Sequence, residues 1–169
     1  MKKVMLLIGI LVIGYLTGCN NDESPEAKET KEPKKYTMQE ALDAGHVVVE
    51  SREAGFNKVH RLEKVFAFDK KVDEKAKNIS LNITTVNDSD TKTASLKFDG
   101  EVIHYKSGDY DYQCNIISTY NDPGAMRTPA KVFVQQCTNS DGNPSPDFSI
   151  LSTKPEYYFQ VKEEFEEQQ

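Results

Sequence analysis

The spacing of apolar residues changes after residue 77, and this change restricts the chain to folds that contain both helices and half-buried strands. In the segment 57–72 the apolar side chains recur near the helical period and would share one face of a helix. From Ile79 the period falls to two, since Ile79, Leu81 and Ile83 alternate with polar residues and would line one face of a sheet. The sequence therefore predicts an α+β domain.

Local signals place two helices in this domain. Thr37 and Glu40 form a Thr-x-x-Glu capping box, which predicts a short helix over about 38–44. The main helix is predicted over about 57–72, with Asn57 as its N-cap. The expected architecture is a mostly antiparallel sheet packed by the main helix and preceded by the short one.

The remaining segments are rich in β-branched and aromatic residues, which favour strands. Asp99-Gly100 indicates a hairpin with a two-residue type I′ turn, since that turn needs positive φ at both central positions. The predicted strands cover 46–50, 79–84, 93–98, 101–106, 110–118 and 131–137, with a candidate last strand near 157–161.

The first nineteen residues have the layout of an export signal. Two lysines precede an uncharged apolar stretch over 4–15, and a Leu-Thr-Gly-Cys motif ends at Cys19. As a helix this stretch would span about 18 Å, less than the roughly 30 Å of a bilayer's hydrocarbon core. The motif resembles the lipobox of bacterial lipoprotein signals, which implies cleavage before Cys19 and diacylglyceryl transfer to its thiol. The alternative is an ordinary secretory signal.

The expected organisation follows from this leader. Residues 1–18 form a lipoprotein signal peptide, and 19–36 form a lipidated, disordered tether without large apolar side chains. Residues 37–162 form a single α+β domain, and 163–169 form an acidic tail. The expected location is the extracytoplasmic face of the cell membrane, with acyl chains such as palmitate on Cys19 as the membrane contact.

Charge excludes one class of partner. Removal of residues 1–18 takes two lysines away, so 19 basic side chains remain against 27 acidic ones. Phosphate backbones are bound by concentrated Lys and Arg, so an acidic chain without a basic cluster is not expected to bind nucleic acid. The same charge disfavours docking on anionic lipid, which leaves the acyl chains as the expected anchor.

With Cys19 acylated, Cys114 and Cys137 remain in a compartment where disulfides persist. A structural disulfide between them is the expected state. The alternatives are a metal pair or a redox thiol, which the sequence disfavours because it has no Cys-x-x-Cys spacing and no histidine beside either cysteine.

The segment from Met38 to Cys137 is similar to a family of small lipoproteins, with a domain of unknown function, from spore-forming Gram-positive bacteria. The resemblance rests on Ala-Gly-His-Val-Val at 44–48, Asn57, Arg61-Leu62, Phe66, the hairpin 98–105 and the two cysteines. It implies the location and the fold, and no activity. The chain departs from the family at 51–53, where Ser-Arg-Glu stands in place of His-Gly.

Catalytic and metal-binding patterns are absent from the sequence. His46, His60 and His104 are far apart, and no Gly-x-Ser-x-Gly, His-Glu-x-x-His or P-loop motif occurs. The segments that begin at Asp88 and Asn139 start like calcium loops but lack the required glycine and glutamate, so turns explain them. No cofactor and no metal are expected.

One cluster could bind a ligand. Tyr105, Tyr110, Tyr112 and Tyr120 lie close together in the sequence among aspartates. They could form a recognition surface for a protein, a peptide, a wall polymer or a cationic ligand. The alternative is ordinary packing in strands. The sequence thus favours a non-catalytic binding or interaction module over a small extracytoplasmic enzyme such as a hydrolase.

Overall fold

The computed structural model describes residues 34–52, 56–88, 90–120 and 128–169, which belong to one compact unit, Pro33–Gln169. The predicted signal peptide, the lipidation site at Cys19 and most of the predicted tether lie outside the described residues. Among the helices that are described, none is long and apolar enough to cross a membrane.

The described residues form three helices and eleven strands. The helices are α1 (Met38–Asp43), α2 (Glu63–Asp73) and α3 (Pro155–Glu167). The strands are β1 (Val47–Glu50), β2 (Lys58–His60), β3 (Ile79–Val86), β4 (Thr91–Phe98), β5 (Ile103–Ser107), β6 (Tyr110–Cys114), β7 (Ile116–Tyr120), β8 (Ala130–Gln135), β9 (Cys137–Asn139), β10 (Pro144–Ser145) and β11 (Phe148–Thr153). The predicted α+β class with a mostly antiparallel sheet is confirmed.

The main sheet has eight strands in the order β10-β9-β6-β5-β4-β3-β1-β2. β1 runs parallel to β3, with Val47 opposite Ile83, and the other neighbouring pairs are antiparallel. Parallel neighbours need a crossover, and β2 with α2 supplies it. The three valines of β1 are all buried, as is usual for a strand covered on both faces.

The short helix α1 forms as its capping box predicts. The Thr37 hydroxyl accepts a hydrogen bond from the Glu40 backbone N–H at 3.2 Å, and the Glu40 carboxylate accepts one from the Thr37 N–H at 2.8 Å. These bonds satisfy backbone donors that the first turn of a helix leaves free. Gly45, with φ of +82°, lies just beyond the C-cap residue Ala44.

The predicted start of the main helix at Asn57 is wrong, because α2 begins at Glu63 and residues 58–60 form β2. Val59 pairs with Val49 of β1 and is buried there. The position of Val59 in the sequence fits either the apolar face of a helix or the buried face of a short strand. Pairing with β1 selects the strand. Asn57 caps no helix; its side-chain amide donates to the Ser152 hydroxyl at 3.1 Å.

The hairpin at Asp99-Gly100 is confirmed, but its turn differs from the predicted type I′. Phe98 pairs with Ile103, so the loop has four residues, 99–102. Asp99 does not have positive φ, and its carboxylate accepts hydrogen bonds from the backbone N–H groups of Glu101 at 2.8 Å and Val102 at 3.0 Å. These bonds lower the pKa of Asp99, and a further bond to His104 adds to the effect.

Two predicted strands are each divided between two sheets. The segment 110–118 breaks at Asn115 and the segment 131–137 breaks at Gln136, which has φ of +54°. On one side of the breaks β6 pairs with β9 in the main sheet; on the other side β7 pairs with β8 in a second sheet of order β11-β8-β7. The predicted disulfide between Cys114 and Cys137 is present where the chain changes sheets.

The C-terminal segment contradicts the prediction of a last strand near 157–161, since it forms the helix α3. The predicted tail from residue 163 also belongs to this helix as far as Glu167. Tyr158 and Val161 are buried and Phe165 packs against the core, so the apolar positions follow a helical spacing. Few apolar positions among many charges made that spacing hard to recognise.

The contact between α2 and α3 contains one carboxyl group with a shifted pKa. Phe66 of α2 packs on Tyr158 of α3 with ring centroids 5.2 Å apart, and Asp69 lies one turn along α2. Burial raises the pKa of Asp69 to about 6; the charge of Asp73 adds to the shift and Lys162 opposes it. Asp69 is therefore the group through which pH acts on this helix pair.

We expect Asp69→Asn to be more stable than the natural chain at pH 7, with a smaller difference at pH 4. The folded pKa of about 6 lies above the ordinary value of 3.8, so the folded state holds this proton more tightly. The protonated Asp69 carboxyl contributes its whole stabilising free energy below about pH 4, and this contribution is lost as the pH rises through 6. Urea titrations at both pH values measure the effect, with the exposed Asp141→Asn as control; an equal difference at the two pH values would contradict the assignment.

Candidate functional site

The structure brings three of the four predicted tyrosines together around a residue that the sequence analysis did not select. Tyr105 pairs with Tyr112 across β5 and β6, and their rings lie 5.1 Å and 4.8 Å from the ring of Phe148 on β11. The Tyr110 ring lies 5.8 Å from that of Phe148. We call Tyr105, Tyr110, Tyr112 and Phe148 the aromatic patch.

Most of the aromatic patch is packing surface. Tyr105 is 7% exposed and Tyr112 is half-buried, whereas Tyr110 is 55% exposed. Tyr120 lies on β7 in the second sheet and makes no aromatic contact with a described ring, so it is not part of the patch. The patch therefore offers a ligand one largely exposed ring, and its other rings join the two sheets.

The three histidines have separate surroundings. The buried His46 lies 2.8 Å from the Thr84 hydroxyl, and burial followed by the charge of Lys64 lowers the pKa of His46. His104 lies 2.9 Å from the Asp99 carboxylate on the hairpin turn. Each of these pairs serves its own part of the fold. His46 also lines a cavity of about 400 Å³, and His60 lines a cavity of about 540 Å³.

That cavity, which we call the basic pocket, has a volume of about 540 Å³. It lies within the size range of pockets for small ligands. Its lining residues come from α1, from β2 and its flanking loops, and from the end of β11 with the start of α3. They are Leu42, Arg52, Phe56, Asn57, Lys58, Val59, His60, Arg61, Thr153, Lys154 and Tyr157.

Hydrogen bonds join two walls of the basic pocket, and a residue with a strained backbone lies in a third part of its lining. Asn57 donates its side-chain amide to Ser152 at 3.1 Å and accepts from the Thr153 hydroxyl through its backbone carbonyl at 3.3 Å. At the other end of β2, Arg61 has φ of +62°, a left-handed conformation that costs an L-residue roughly 1–2 kcal/mol. Strained non-glycine residues of this kind are concentrated at functional sites.

The charge of the basic pocket opposes that of the chain. Five lining residues are basic, and none of the described residues that line it is acidic. Within the described part of the chain, Lys58, Arg61 and Lys154 have no carboxylate within 4.0 Å. All three residues line the same concavity, and Lys58 also lies opposite Glu50 in the register of β1 and β2.

A carboxylate beside the basic pocket pairs with its other two basic residues. Glu50 lies 3.5 Å from both Arg52 and His60, and the Nε2 atom of His60 is buried without a hydrogen-bond partner in the described structure. Burial works to raise the pKa of Glu50, but His60, Arg52 and Lys58 outweigh it and lower the pKa. Glu50 thus stays ionised, and Arg61 and Lys154 make no ion pair within the described residues.

The sequence analysis missed the basic pocket for two reasons. Its walls come from three stretches that are distant in the chain, and no local pattern links them. In addition, the helix predicted over 57–72 assigned Lys58, His60 and Arg61 to an ordinary solvated face. The one local signal was the run of basic residues from Lys58 to Arg61. If β2 had been predicted, these residues would have been assigned to an edge strand and the turn that follows it.

The comparisons with known proteins give no further assignment. No protein-family model matches the chain, no curated protein matches it, and no solved structure matches it. Among the described residues there is no group of three or more His, Cys, Asp or Glu side chains that could hold a metal ion.

We expect Arg61→Gly to be more stable than Arg61→Ala by about 1 kcal/mol, because both lose the guanidinium and glycine alone adopts positive φ without strain. Chemical denaturation measures the difference. The matched pair at Lys58, in the extended strand β2, should show the opposite order. Equal stabilities of the two variants at Arg61 would show that the left-handed conformation carries no strain.

Proposed function

We propose that this protein is a membrane-anchored extracytoplasmic lipoprotein, held through acyl chains on Cys19, whose folded domain is a non-catalytic binding module. Its binding site in this proposal is the basic pocket. The observation that carries the proposal is the convergence of Lys58, Arg61 and Lys154, without carboxylate partners among the described residues, on a cavity with apolar walls. Sites of this form hold small ligands by a few polar contacts and an apolar surface.

The leader and the cysteines support the location. The motif that ends at Cys19 has the lipobox order, and the resemblance of the segment 38–137 to small lipoproteins agrees with it. A disulfide between Cys114 and Cys137 suits an oxidising compartment. The polar segment 20–35 would reach on the order of 20 Å as a flexible chain, enough to hold the domain just above the membrane.

Binding is better supported than hydrolysis. The nearest approach to a nucleophile with its base is the hydrogen bond between His46 and Thr84, and both side chains are buried, with Thr84 fully enclosed. A nucleophile must be reached by substrate, so this pair suits a structural role. His60 in the basic pocket has Glu50 beside it, and no serine, threonine or cysteine hydrogen-bonds to its ring within the described residues.

Cys19→Ala should abolish lipidation and release the protein from the membrane, since the thiol is the attachment point. Growth with a tagged fatty acid, followed by fractionation, measures both effects. A double variant, Cys114→Ala with Cys137→Ala, should keep the label, because those cysteines have no part in the anchor. Label on the Cys19→Ala protein would refute the proposed anchor.

Charge reversal in the basic pocket should abolish capture of the natural ligand. We expect small molecules that co-purify with the protein from its own cells, detected by mass spectrometry, to be lost from Lys58→Glu with Lys154→Glu. Both lysines are exposed. Circular dichroism checks the fold of this variant, because Lys58→Glu places a like charge opposite Glu50 across β1 and β2. The control in the aromatic patch is Tyr110→Ser, because the Tyr110 ring is 55% exposed, and this variant should retain the co-purifying molecules.

Two outcomes would overturn this assignment. Loss of the ligand from the tyrosine variant alone would place the binding site at the aromatic patch, as the sequence analysis proposed. Absence of any enriched molecule from the natural protein and both variants would remove the support for a ligand-binding module.

A further inference from the structure

We infer that the basic pocket takes a small amphipathic anion, with a carboxylate or phosphate group held by Lys58, Arg61 and Lys154 and an apolar body against the other walls. This inference rests on the proposed function and adds the chemical class of the ligand. It follows from the charge of the pocket, from its apolar lining and from its size.

The charge of the side chains that line the basic pocket favours an anionic ligand over a cationic or a neutral one. The chain as a whole has a net charge of −6 with histidine neutral, yet the described residues that line this cavity include four Lys or Arg side chains, one histidine and no acid. Basic side chains that line the same cavity repel each other, and a bound anion reduces that repulsion. A cationic ligand would increase it.

The apolar lining excludes a bare inorganic anion as the preferred ligand. Leu42, Phe56, Val59 and Tyr157 contribute apolar surface to the cavity. A phosphate or chloride ion would occupy only a small part of about 540 Å³ and would leave these side chains wet. An apolar body that covers these side chains gains binding free energy in proportion to the area it removes from water.

The same ligand chemistry could come from a free molecule or from the headgroup of an anionic lipid in the bilayer. We assign the pocket to the free molecule. The chain carries 27 acidic side chains against 21 basic ones, so an anionic membrane repels the molecule as a whole.

A pair of probes with one apolar body and opposite charges tests the inference. Octanoate and octylamine share an alkyl chain, and acetate carries the charge without the chain. Isothermal titration uses the full lipidated protein in phosphatidylcholine nanodiscs, with empty nanodiscs as the reference. Octanoate should bind at least about tenfold more tightly than octylamine or acetate.

The variants identify the side chains responsible. Lys58→Gln with Lys154→Gln should weaken octanoate binding on the order of tenfold, because two charge-assisted contacts are lost. The same change should not weaken octylamine binding, because it removes charge that repels the amine. Lys92→Gln with Lys97→Gln removes two exposed lysines of β4 outside the pocket and should bind octanoate like the natural protein. Circular dichroism checks the fold, and Lys154→Gln alone replaces the double variant if that variant is unfolded.

Several results would overturn the inference. Absence of octanoate binding, equal affinity for octanoate and octylamine, or equal affinity for octanoate and acetate would each do so. If the protein floats with phosphatidylglycerol vesicles and does not bind octanoate, the basic residues of the pocket bind an anionic membrane surface instead. If octanoate does not bind but the pocket variants still lose the co-purified ligand, only the proposed ligand class is wrong. If octanoate does not bind and the pocket variants keep the co-purified ligand, the proposed function is wrong as well.

Discussion

The disulfide between Cys114 and Cys137 fixes the point at which two paired strands leave one sheet and enter the other. The bond lies next to the breaks at Asn115 and Gln136, where the two chain segments change sheets. The bond closes a loop of 23 residues, which stabilises the fold by roughly 3 kcal/mol if it acts on the entropy of the unfolded chain. The position of β11 and α3, and hence of one wall of the basic pocket, depends on this arrangement.

The basic pocket and the aromatic patch differ in what they could recognise. The patch rings are held mainly by each other and by Phe148, so their shape follows from the packing of the sheets. The pocket carries charge that the fold does not use, since Lys58 and Lys154 make no ion pair within the described residues. Charge left unpaired in a concavity is better evidence for a ligand than aromatic rings that are already packed.

Sequence reasoning succeeded where the signal was local. The capping box at Thr37, the alternation from Ile79 and the hairpin at Asp99 depend on neighbours in the chain, and all three elements formed. It failed at 57–62 and in α3, where pairing with β1 or packing on α2 selected the structure. The candidate tyrosines were partly grouped as expected, but the pocket needed residues almost a hundred positions apart.

The bonds from Asn57 to Ser152 and Thr153 join the two distant stretches that form the basic pocket. Because the pocket exists only when those stretches meet, the unfolded chain has no comparable site. Any occupant therefore shifts the folding equilibrium toward the native state by mass action, whatever its chemistry. A molecule in this cavity would act as a reversible cross-link between the β2 region and the end of β11, complementing the permanent one at the cysteines.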